Sequence, residues 1–434
     1  MNILRNFFNN NTLLKVKRTN GCNILLKNGR KIFDMTAGIN SHAILGYGNT
    51  KVIAAIKKQA SLYTHVDYKF WNDENLVKLS DTIIGNSKNG LKSVYFSGNS
   101  GSEACEAALL MSYQTHFLSG NKKKLYVISR DESYHGSTIG ALTLGDRKNT
   151  HFYSKNLKLK RVKIPMHHPL YLKKDGETLE EYAKRSAKNL ESIILKIGPK
   201  NVGAFVGETI MGGLVGDVPP AQNYWKHIQK ICNRYNVHLI LDEVYCGTGT
   251  TGKYFCFDWD KVKPDFVFIG KTLGAGYGAI SAVITTKKIE NILKSSGRLQ
   301  HNTTYQGHSL SAAAALQVQK IVNNSIFLKK VDEVGKFMRD YINCELQNHP
   351  FYREVRGRGL RFSFEYSCKN RNKFSEKLYN NILEKYNILT STKFHRICFT
   401  PPLIITKKEA ERSLDIIISE FIKISQSWSN KYNN

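Results

Sequence analysis

Short apolar runs alternate with longer amphipathic segments through the middle of the chain, from about residue 91 to residue 290. The runs at 202–206, 237–241 and 266–269 are mostly apolar, which is typical of strands buried on both faces of a sheet. Helical spacing follows from Glu103 onward and again at 178–197. This alternation predicts an α/β domain with a mainly parallel central sheet.

The two ends of the chain have a mixed pattern. Residues 21–35 alternate around Asn28 and Gly29, a pair that predicts a two-residue hairpin turn. Helices are expected from about Thr50, at about 328–347 and at 373–385, with strands around 355–366 and at 396–399 and a final amphipathic helix. The expected apolar face of the helix after Thr50 consists of Val52, Ile53, Ile56 and Ala60.

Polar groups with chemical potential stand where two of the central runs end. The run at 237–241 leads into Asp242 and Glu243, and the run at 266–269 leads into Gly270, Lys271 and a glycine-rich turn. Two buried strands therefore deliver an acid and a lysine to one edge of the sheet. A simple ion pair would explain any such pair, but the glycines leave room for a bulky ligand near Lys271.

A lysine crowded into such a place loses its proton readily and forms Schiff bases with carbonyl compounds. The carbonyl partner that this suggests is pyridoxal phosphate, because its ring requires an acid at the pyridine nitrogen to act as an electron sink. Asp242 suits that role. The two residues are therefore the predicted catalytic pair.

Two motifs at these strand ends carry a resemblance to a known family. Residues 242–252 read DEVYCGTGTTG, and Lys271 lies in IGKTLGAG. Both are similar to motifs of the class III (subgroup I, omega-type) pyridoxal-phosphate-dependent aminotransferases, and the resemblance extends from about residue 21 to residue 422. It implies fold type I: a large domain with a mainly parallel, seven-stranded type of sheet and a small α+β domain built from both termini.

The domain boundaries that follow from the resemblance are approximate. Residues 1–60 are expected to join the small domain, residues 61–310 to form the large cofactor-binding domain, and residues 311–434 to complete the small domain. The glycine and serine of the family's SGSEA motif correspond to Gly101 and Ser102, which are expected to hold the cofactor phosphate at a helix N-terminus. An ordinary helix cap uses the same residue types, so the turn alone would be weak evidence.

Further cofactor contacts are implied by the same resemblance. Tyr134 is expected to stack on the cofactor ring, with His135 beside it in the pocket, and Val244 to pack beneath the ring. Glu208 matches the acid of the family's EP motif, although Thr209 replaces the proline. Thr304 resembles the threonine that reaches the phosphate of the other subunit, which implies a homodimer with shared active sites.

Substrate contacts are less sharply indicated. The aromatic cluster at 63–71 offers Tyr68, Phe70 and Trp71 as apolar walls for the partner subunit's pocket, with core or dimer packing as the alternative. Gly213 stands where ornithine- and GABA-type members carry a second glutamate.

The family's two arginine positions near the double proline are Ser391 and Cys398 here. Arg396 is the candidate for clamping a substrate carboxylate, and a surface role is an equal alternative. Thr250 is a further departure, because the family has an arginine at that position.

The resemblance implies an aminotransferase that uses pyridoxal 5'-phosphate. Lys271 would hold the cofactor as an internal aldimine and would then move a proton between the substrate carbon and the cofactor. The amino group would pass from an amine, omega-amino acid or amino acid donor to a keto acid such as pyruvate. An aminomutase or epimerase of the same family is the alternative, distinguished by whether a keto acid is consumed.

Composition adds one competing function class. The net charge of +29, from 64 Lys+Arg against 35 Asp+Glu, would suit a nucleic-acid-binding protein, but the lysines are spread through every segment. We therefore expect no nucleic-acid partner. No apolar run reaches the roughly 18 residues of a membrane helix, so no membrane association is expected either.

The eight cysteines have no metal-ligand spacing with histidine, and no metal is expected. Their scatter favours free thiols and a cytoplasmic location, although a basic N-terminus leaves a transit peptide open. His167 and His168 are expected in a surface loop.

Overall fold

The computed structural model describes residues 13–85, 90–151 and 159–432. The strands are β1 Val16–Asn20, β2 Asn23–Leu26, β3 Lys31–Asp34, β4 Leu91–Gly98, β5 Tyr126–Arg130, β6 Arg161–Ile164, β7 Val202–Glu208, β8 His238–Asp242, β9 Phe266–Ile269, β10 Ser281–Thr286, β11 Tyr352–Arg358, β12 Arg361–Tyr366, β13 Ile388–Leu389, β14 Ser391–Lys393 and β15 Arg396–Phe399. The helices are α1 Thr50–Ala60, α2 Glu74–Gly85, α3 Gly101–Leu118, α4 Ile139–Leu144, α5 Pro169–Leu172, α6 Leu179–Ile197, α7 Tyr224–Arg234, α8 Lys287–Lys294, α9 Ser309–Val322, α10 Ser325–Leu346, α11 Arg371–Tyr386 and α12 Lys407–Tyr432.

A seven-stranded sheet in the order β4-β10-β9-β8-β7-β5-β6 forms the centre of the fold. Strands β9, β8, β7, β5 and β6 are mutually parallel, and β10 is antiparallel to both β4 and β9. The predicted mainly parallel sheet is confirmed. Because parallel strands end at one edge, the residues that follow β7, β8 and β9 are brought together there.

Side chains of the central strands alternate between two apolar clusters, one on each face of this sheet. Phe205, Leu239, Leu241 and Val267 belong to one cluster, whereas Val206, Ile240, Phe266 and Phe268 belong to the other, which also receives α3. Burial on both faces explains why these strands read as continuous apolar runs.

Helix α6 shows how local sequence sets an element's ends. Thr178 caps it, and Glu181 returns a bond to Thr178, so that the two residues form a capping box. Gly198, with φ +93°, ends the helix in a conformation that glycine adopts without strain.

Both ends of the chain build the smaller part of the fold. Strand β13 pairs parallel with β3, which ties the C-terminal region to the N-terminal hairpin. The antiparallel sheet β11-β12-β15-β14 lies beside it, and one apolar cluster unites residues from Cys22 to Trp428. The predicted small α+β domain from both termini is confirmed, while the boundaries at 60/61 and 310/311 stay a prediction.

Two local expectations are wrong. On α1, Val52 is buried, but Ile53 and Ala60 are exposed, because only part of the apolar stripe packs against α9. His167 and His168 are buried at 1% and 0% exposure and do not lie in a surface loop. His167 stacks on Tyr224 at 3.8 Å between ring centroids.

Among the described residues, none of the helices combines the length and hydropathy needed to cross a bilayer.

Candidate active site

Glu208, Asp242 and Lys271 lie at the ends of three adjacent strands. Glu208 is the register partner of Asp242 in the β7–β8 pair, and Asp242 pairs with Phe268, three residues before Lys271. The structure thus brings together the acid and the lysine that the sequence placed at one sheet edge. Gly270, between β9 and Lys271, packs against the backbone of Gly101, where an added Cβ would lie 3.2 Å from the Gly101 nitrogen.

Asp242 is buried and held in one orientation. Its Oδ1 accepts a hydrogen bond from the backbone N–H of Val244 at 3.0 Å, and its Oδ2 lies 2.8 Å from His135 Nδ1. The ring of His135 is also buried, and its Nε2 has no partner among the described residues. A carboxylate fixed in this way can present its remaining lone pairs to a protonated ring nitrogen.

Lys271 opens a strained and well-supported turn. Its φ is +30°, which is unusual for a residue with a side chain and is typical of functional sites. Gln319 of α9 donates to the carbonyl of Leu273 at 2.8 Å, and Thr248 donates to the hydroxyl of Thr272. The turn is therefore held from two sides.

Burial lowers the pKa of Lys271. Asp242 and Glu208 raise that pKa, whereas Arg361 and Lys393 lower it. The Nζ atom lies 5.6 Å from the centroid of the Tyr245 ring. The surroundings therefore make the neutral amine, the form that attacks carbonyl carbon, easier to form than in an exposed lysine.

Glu208 supports the backbone around the site. Its two carboxylate oxygens accept from the N–H groups of Tyr134 at 3.0 Å and Gly212 at 3.1 Å. Burial raises the pKa of Glu208, Asp242 raises it as well, and His135 together with these two hydrogen bonds opposes the rise. Glu208 therefore fixes the loop that carries Tyr134 and His135.

The start of α3 faces the same region. Ser100 caps the helix through the N–H of Glu103, and the Oγ of Ser102 accepts from the N–H of Ser137 at 3.0 Å. A Cβ on Gly101 would lie 2.7 Å from the methyl groups of Val244, and one on Gly136 would lie 2.5 Å from Ser102 Oγ. Glycine is therefore required for this close approach.

Tyr134 and Thr304 are more accessible than the residues at the sheet edge. Tyr134 is half-buried, and the guanidinium carbon of Arg147 lies 5.2 Å from its ring centroid. Thr304 is exposed, and its carbonyl lies 3.3 Å from His65 Nε2. Thr304 therefore lies at the surface of this chain.

The candidate substrate residues separate into three groups. Phe70 and Trp71 are 81% and 65% exposed, whereas Tyr68 packs edge-on against Phe96 in the core. Arg396 is buried, so the surface alternative is wrong. Its Nη2 donates to the carbonyl of Leu214, because β15 lies under the loop that follows β7.

Sequence reasoning missed Tyr245 and Arg361. The ring of Tyr245 contacts both Lys271 and Arg361, whose Cζ is 4.9 Å from the ring centroid. Arg361 follows directly after the RGRGL stretch, but its burial depends on packing against residues more than 100 positions away. No local pattern marks Arg361 as a residue of the site.

Glu243 lies next to Asp242 but faces a different environment. Its carboxylate accepts from the Thr209 hydroxyl at 2.9 Å and from the N–H groups of Cys256 and Phe257 at 2.8 Å each. Its oxygens and the sulfurs of Cys246 and Cys256 all lie within 4.8 Å of one another. Since the carboxylate is already engaged by three donors, we interpret this group as support for the loop after β8.

Comparison with known proteins gives a consistent result. A family model described as aminotransferase class-III matches residues 7–421. The chain is 31% identical over 419 residues to an uncharacterized aminotransferase of Schizosaccharomyces pombe, covering 93% of this chain and 91% of that protein. It is 35% identical over 356 residues to a diaminobutyrate–2-oxoglutarate transaminase of Halomonas elongata, covering 80% and 75%. The solved structure of the omega transaminase from Pseudomonas jessenii in complex with PMP matches with a TM-score of 0.87 at 26% identity, covering 97% of this chain and 94% of that one.

Proposed function

Because this chain belongs to the class III aminotransferases, a family of pyridoxal-phosphate-dependent enzymes, we propose that Lys271 and Asp242 are its catalytic residues. The observation that carries the proposal is the buried Lys271, with its pKa lowered, at the strand end beside the oriented carboxylate of Asp242. Pyridoxal phosphate, when bound, supplies a carbonyl group for the amino group and an electron sink for the substrate carbon.

The residues present suit this cofactor. Gly101 and Gly136 leave a cradle that a Cβ would fill, and the N-terminus of α3 with Ser102 offers donors to a phosphate. Asp242 would hold a proton on the pyridine nitrogen. Val244 and Tyr134 would cover the two faces of the ring, with His135 and Glu208 fixing the loop around it.

Lys271 has two tasks in this proposal. Its Nζ would hold the cofactor through the carbonyl group, since burial disfavours the charged amine. When free, the same Nζ would take the proton from the substrate carbon that bears the nitrogen and return it at the other end of the transfer. Asp242 keeps its orientation through this transfer, since the Val244 N–H and His135 both hold its carboxylate.

We propose an amine or omega-amino acid as donor and a keto acid such as pyruvate as acceptor. Gly213 in place of an acidic residue supports this choice, because no carboxylate at that position would neutralise a substrate-binding cation. The names of the relatives include a diaminobutyrate–2-oxoglutarate transaminase and an omega transaminase, which support a donor of the omega type.

The donor and acceptor can be tested by half-reactions. A panel of amines and amino acids is added to the cofactor-loaded protein, and the loss of its visible absorbance is recorded. Pyruvate and 2-oxoglutarate are then added separately. Loss with an amine or omega-amino acid and recovery with pyruvate are expected. Recovery with 2-oxoglutarate alone would contradict the acceptor proposed here. Continued conversion of the donor to an isomer without consumption of any keto acid would favour an aminomutase or epimerase.

We also propose a homodimer with shared active sites. The segments 65–71 and 302–308 lie side by side: His65 stacks on His308 at 4.8 Å, and Lys69 Nζ donates to Asn302 at 3.0 Å. Phe70, Trp71 and Tyr305 expose large apolar surfaces on these segments. Exposed apolar patches of this kind are typical of protein interfaces.

Mixed dimers test the sharing directly. Thr304→Glu places a negative charge where the partner's cofactor phosphate is expected, so the Thr304→Glu and Lys271→Ala homodimers should both be inactive. Doubly tagged mixed dimers should recover about half of the wild-type activity, because one of their two sites is intact. No recovery would show that Thr304 does not act across the interface. Thr304→Ser, which keeps the hydroxyl, is the matched control.

We propose a cytoplasmic location for the enzyme. The eight cysteines are free thiols, and six of them are buried, which supports a reducing compartment.

The proposed large domain comprises residues 61–310, and the proposed small domain comprises the remaining N- and C-terminal segments.

A further inference from the structure

Four arginines lie on the strand pair β11–β12; Arg353 is exposed, and two of the other three have acidic partners. Arg356 contacts Glu354 and Glu365 at 2.5 Å each, and Arg358 contacts Asp260 at 2.7 Å. Arg361 has no carboxylate within ion-pair distance among the described residues. It is nevertheless fully buried, at 0% exposure.

The hydrogen bonds of Arg361 reach only neutral groups. Its Nε donates to the carbonyl of Tyr245 and its Nη2 to the carbonyl of Ser41, both at 3.0 Å. Its Nη1 is buried and has no partner among the described residues. An enclosed cation without a counter-ion is unfavourable, so such a residue indicates a charge that is compensated in another state of the protein.

Asp217 is an acid whose charge acts on Arg361, but it forms no ion pair with the guanidinium. Its Oδ1 accepts from the Tyr245 hydroxyl at 2.7 Å and its Oδ2 from the Ser363 hydroxyl at 2.6 Å. Asp217 therefore attenuates the charge of Arg361 without supplying a partner for Nη1.

This charge is directed at the proposed active site. Arg361 Cζ lies 4.9 Å from the Tyr245 ring centroid, and Lys271 Nζ contacts the same ring at 5.6 Å. The exposed Lys393 is a second cation that acts on Lys271. A substrate that reaches Lys271 therefore enters the field of two cations on the small-domain side.

We propose that Arg361 makes this site selective for substrates that carry a carboxylate. The proposal rests on the proposed transamination and specifies its substrate class: the keto acid acceptor and a carboxylated donor, in preference to a plain amine. Because Nη1 is enclosed, the attraction does not act through a direct hydrogen bond. The guanidinium charge acts on the site from beside Tyr245, as it already does on Lys271. Arg361 is thus a specificity-determining residue that does not touch the reacting atoms.

The test compares two donors that differ only in the carboxylate, 4-aminobutyrate and n-butylamine. The concentration of each that gives half-maximal loss of the cofactor's visible absorbance is measured for wild type, Arg361→Met, Arg361→Lys and Arg358→Met. Wild type should favour 4-aminobutyrate, and Arg361→Met should reduce that preference by about 10-fold or more. Arg361→Lys should retain most of it, and Arg358→Met, which removes a buried arginine that has its own acid, should leave it unchanged.

A second measurement does not depend on the reaction. Calorimetry with glutarate, a dicarboxylate without an amino or keto group, should show binding to the wild-type holoenzyme that weakens by about 10-fold in Arg361→Met. Equal discrimination in wild type and Arg361→Met would overturn the inference, and so would a wild type without any preference, even if Arg361→Met fails to fold. A protein whose absorbance responds to no donor at all would instead overturn the proposed function.

Discussion

The sheet edge of the site, with Glu208, Asp242 and Lys271, and its small-domain wall, with Arg361 and Arg396, are assembled in different ways. The sheet-edge residues follow consecutive buried strands, so their proximity is set by the parallel order of β7, β8 and β9. Arg361 reaches the site through contacts with Tyr245 and Ser41, which are 116 and 320 positions away. The comparison suggests that the chemistry resides on the rigid sheet and substrate choice on the smaller domain.

The largest effect that would sharpen this division is expected at Asp242. Asp242→Asn removes the negative charge that would face the pyridine nitrogen, and kcat should fall by roughly 10²–10³-fold, as for other preorganised electrostatic groups. The half-saturating donor concentration should change little. Steady-state kinetics with one donor at varied concentration would separate the two constants, and a change confined to KM would place Asp242 among the substrate contacts instead.

Substitution of Glu243, the neighbouring acid, should change stability more than catalysis. Three donors face the carboxylate of Glu243. In Glu243→Gln, one of these donors would face an amide NH₂ group instead of an oxygen. The free energy of unfolding should therefore decrease by about 1–3 kcal/mol. Denaturant unfolding would measure it. The kcat of the folded variant should stay within a few-fold of wild type, and a large loss of kcat at full stability would break the distinction between Asp242 and Glu243.

A smaller effect is expected from the exposed aromatic segment. Trp71→Ala should raise the KM for a bulky amine by about 10-fold, the amount that loss of an apolar pocket wall typically produces, and should leave kcat nearly unchanged. Val77→Ala is a suitable control, because Val77 is also an exposed apolar residue but lies on α2, outside the 65–71 segment. An unchanged KM in Trp71→Ala would remove this residue from the substrate pocket.

The smallest expected effect is a shift in the pH dependence of cofactor uptake, because Arg361 on the small-domain wall acts on Lys271 at the sheet edge. The apoprotein should take up pyridoxal phosphate faster as pH rises through the pKa of Lys271, which lies below the ordinary 10.5 because the amine is buried. Asp242 and Glu208 raise this pKa, and Arg361 and Lys393 lower it. Arg361→Met should therefore move the rise in rate to higher pH. An identical pH profile in wild type and Arg361→Met would show that Arg361 does not act on Lys271.

The sequence was most informative where a residue's position follows from a strand end. Lys271 and Asp242 could be placed together because buried apolar runs precede both. Gly101 was predicted from its motif, and the approach of Val244 explains why a glycine is required there. The surface alternative for Arg396 and the surface loop at His167 failed for a common reason. The local sequence around a polar residue does not show which distant segment will cover it. The loop at Leu214 covers Arg396, and the ring of Tyr224 covers His167.

The most direct test of the central claim is to identify the residue that holds the cofactor. The purified protein is loaded with pyridoxal phosphate, its visible absorbance is recorded, and the Schiff base is reduced with borohydride before peptide mass analysis. The account predicts one modified peptide, with the cofactor on Lys271, and no modification in Lys271→Ala. Cofactor attached to another lysine, or a protein that stays colourless after incubation with it, would contradict the account.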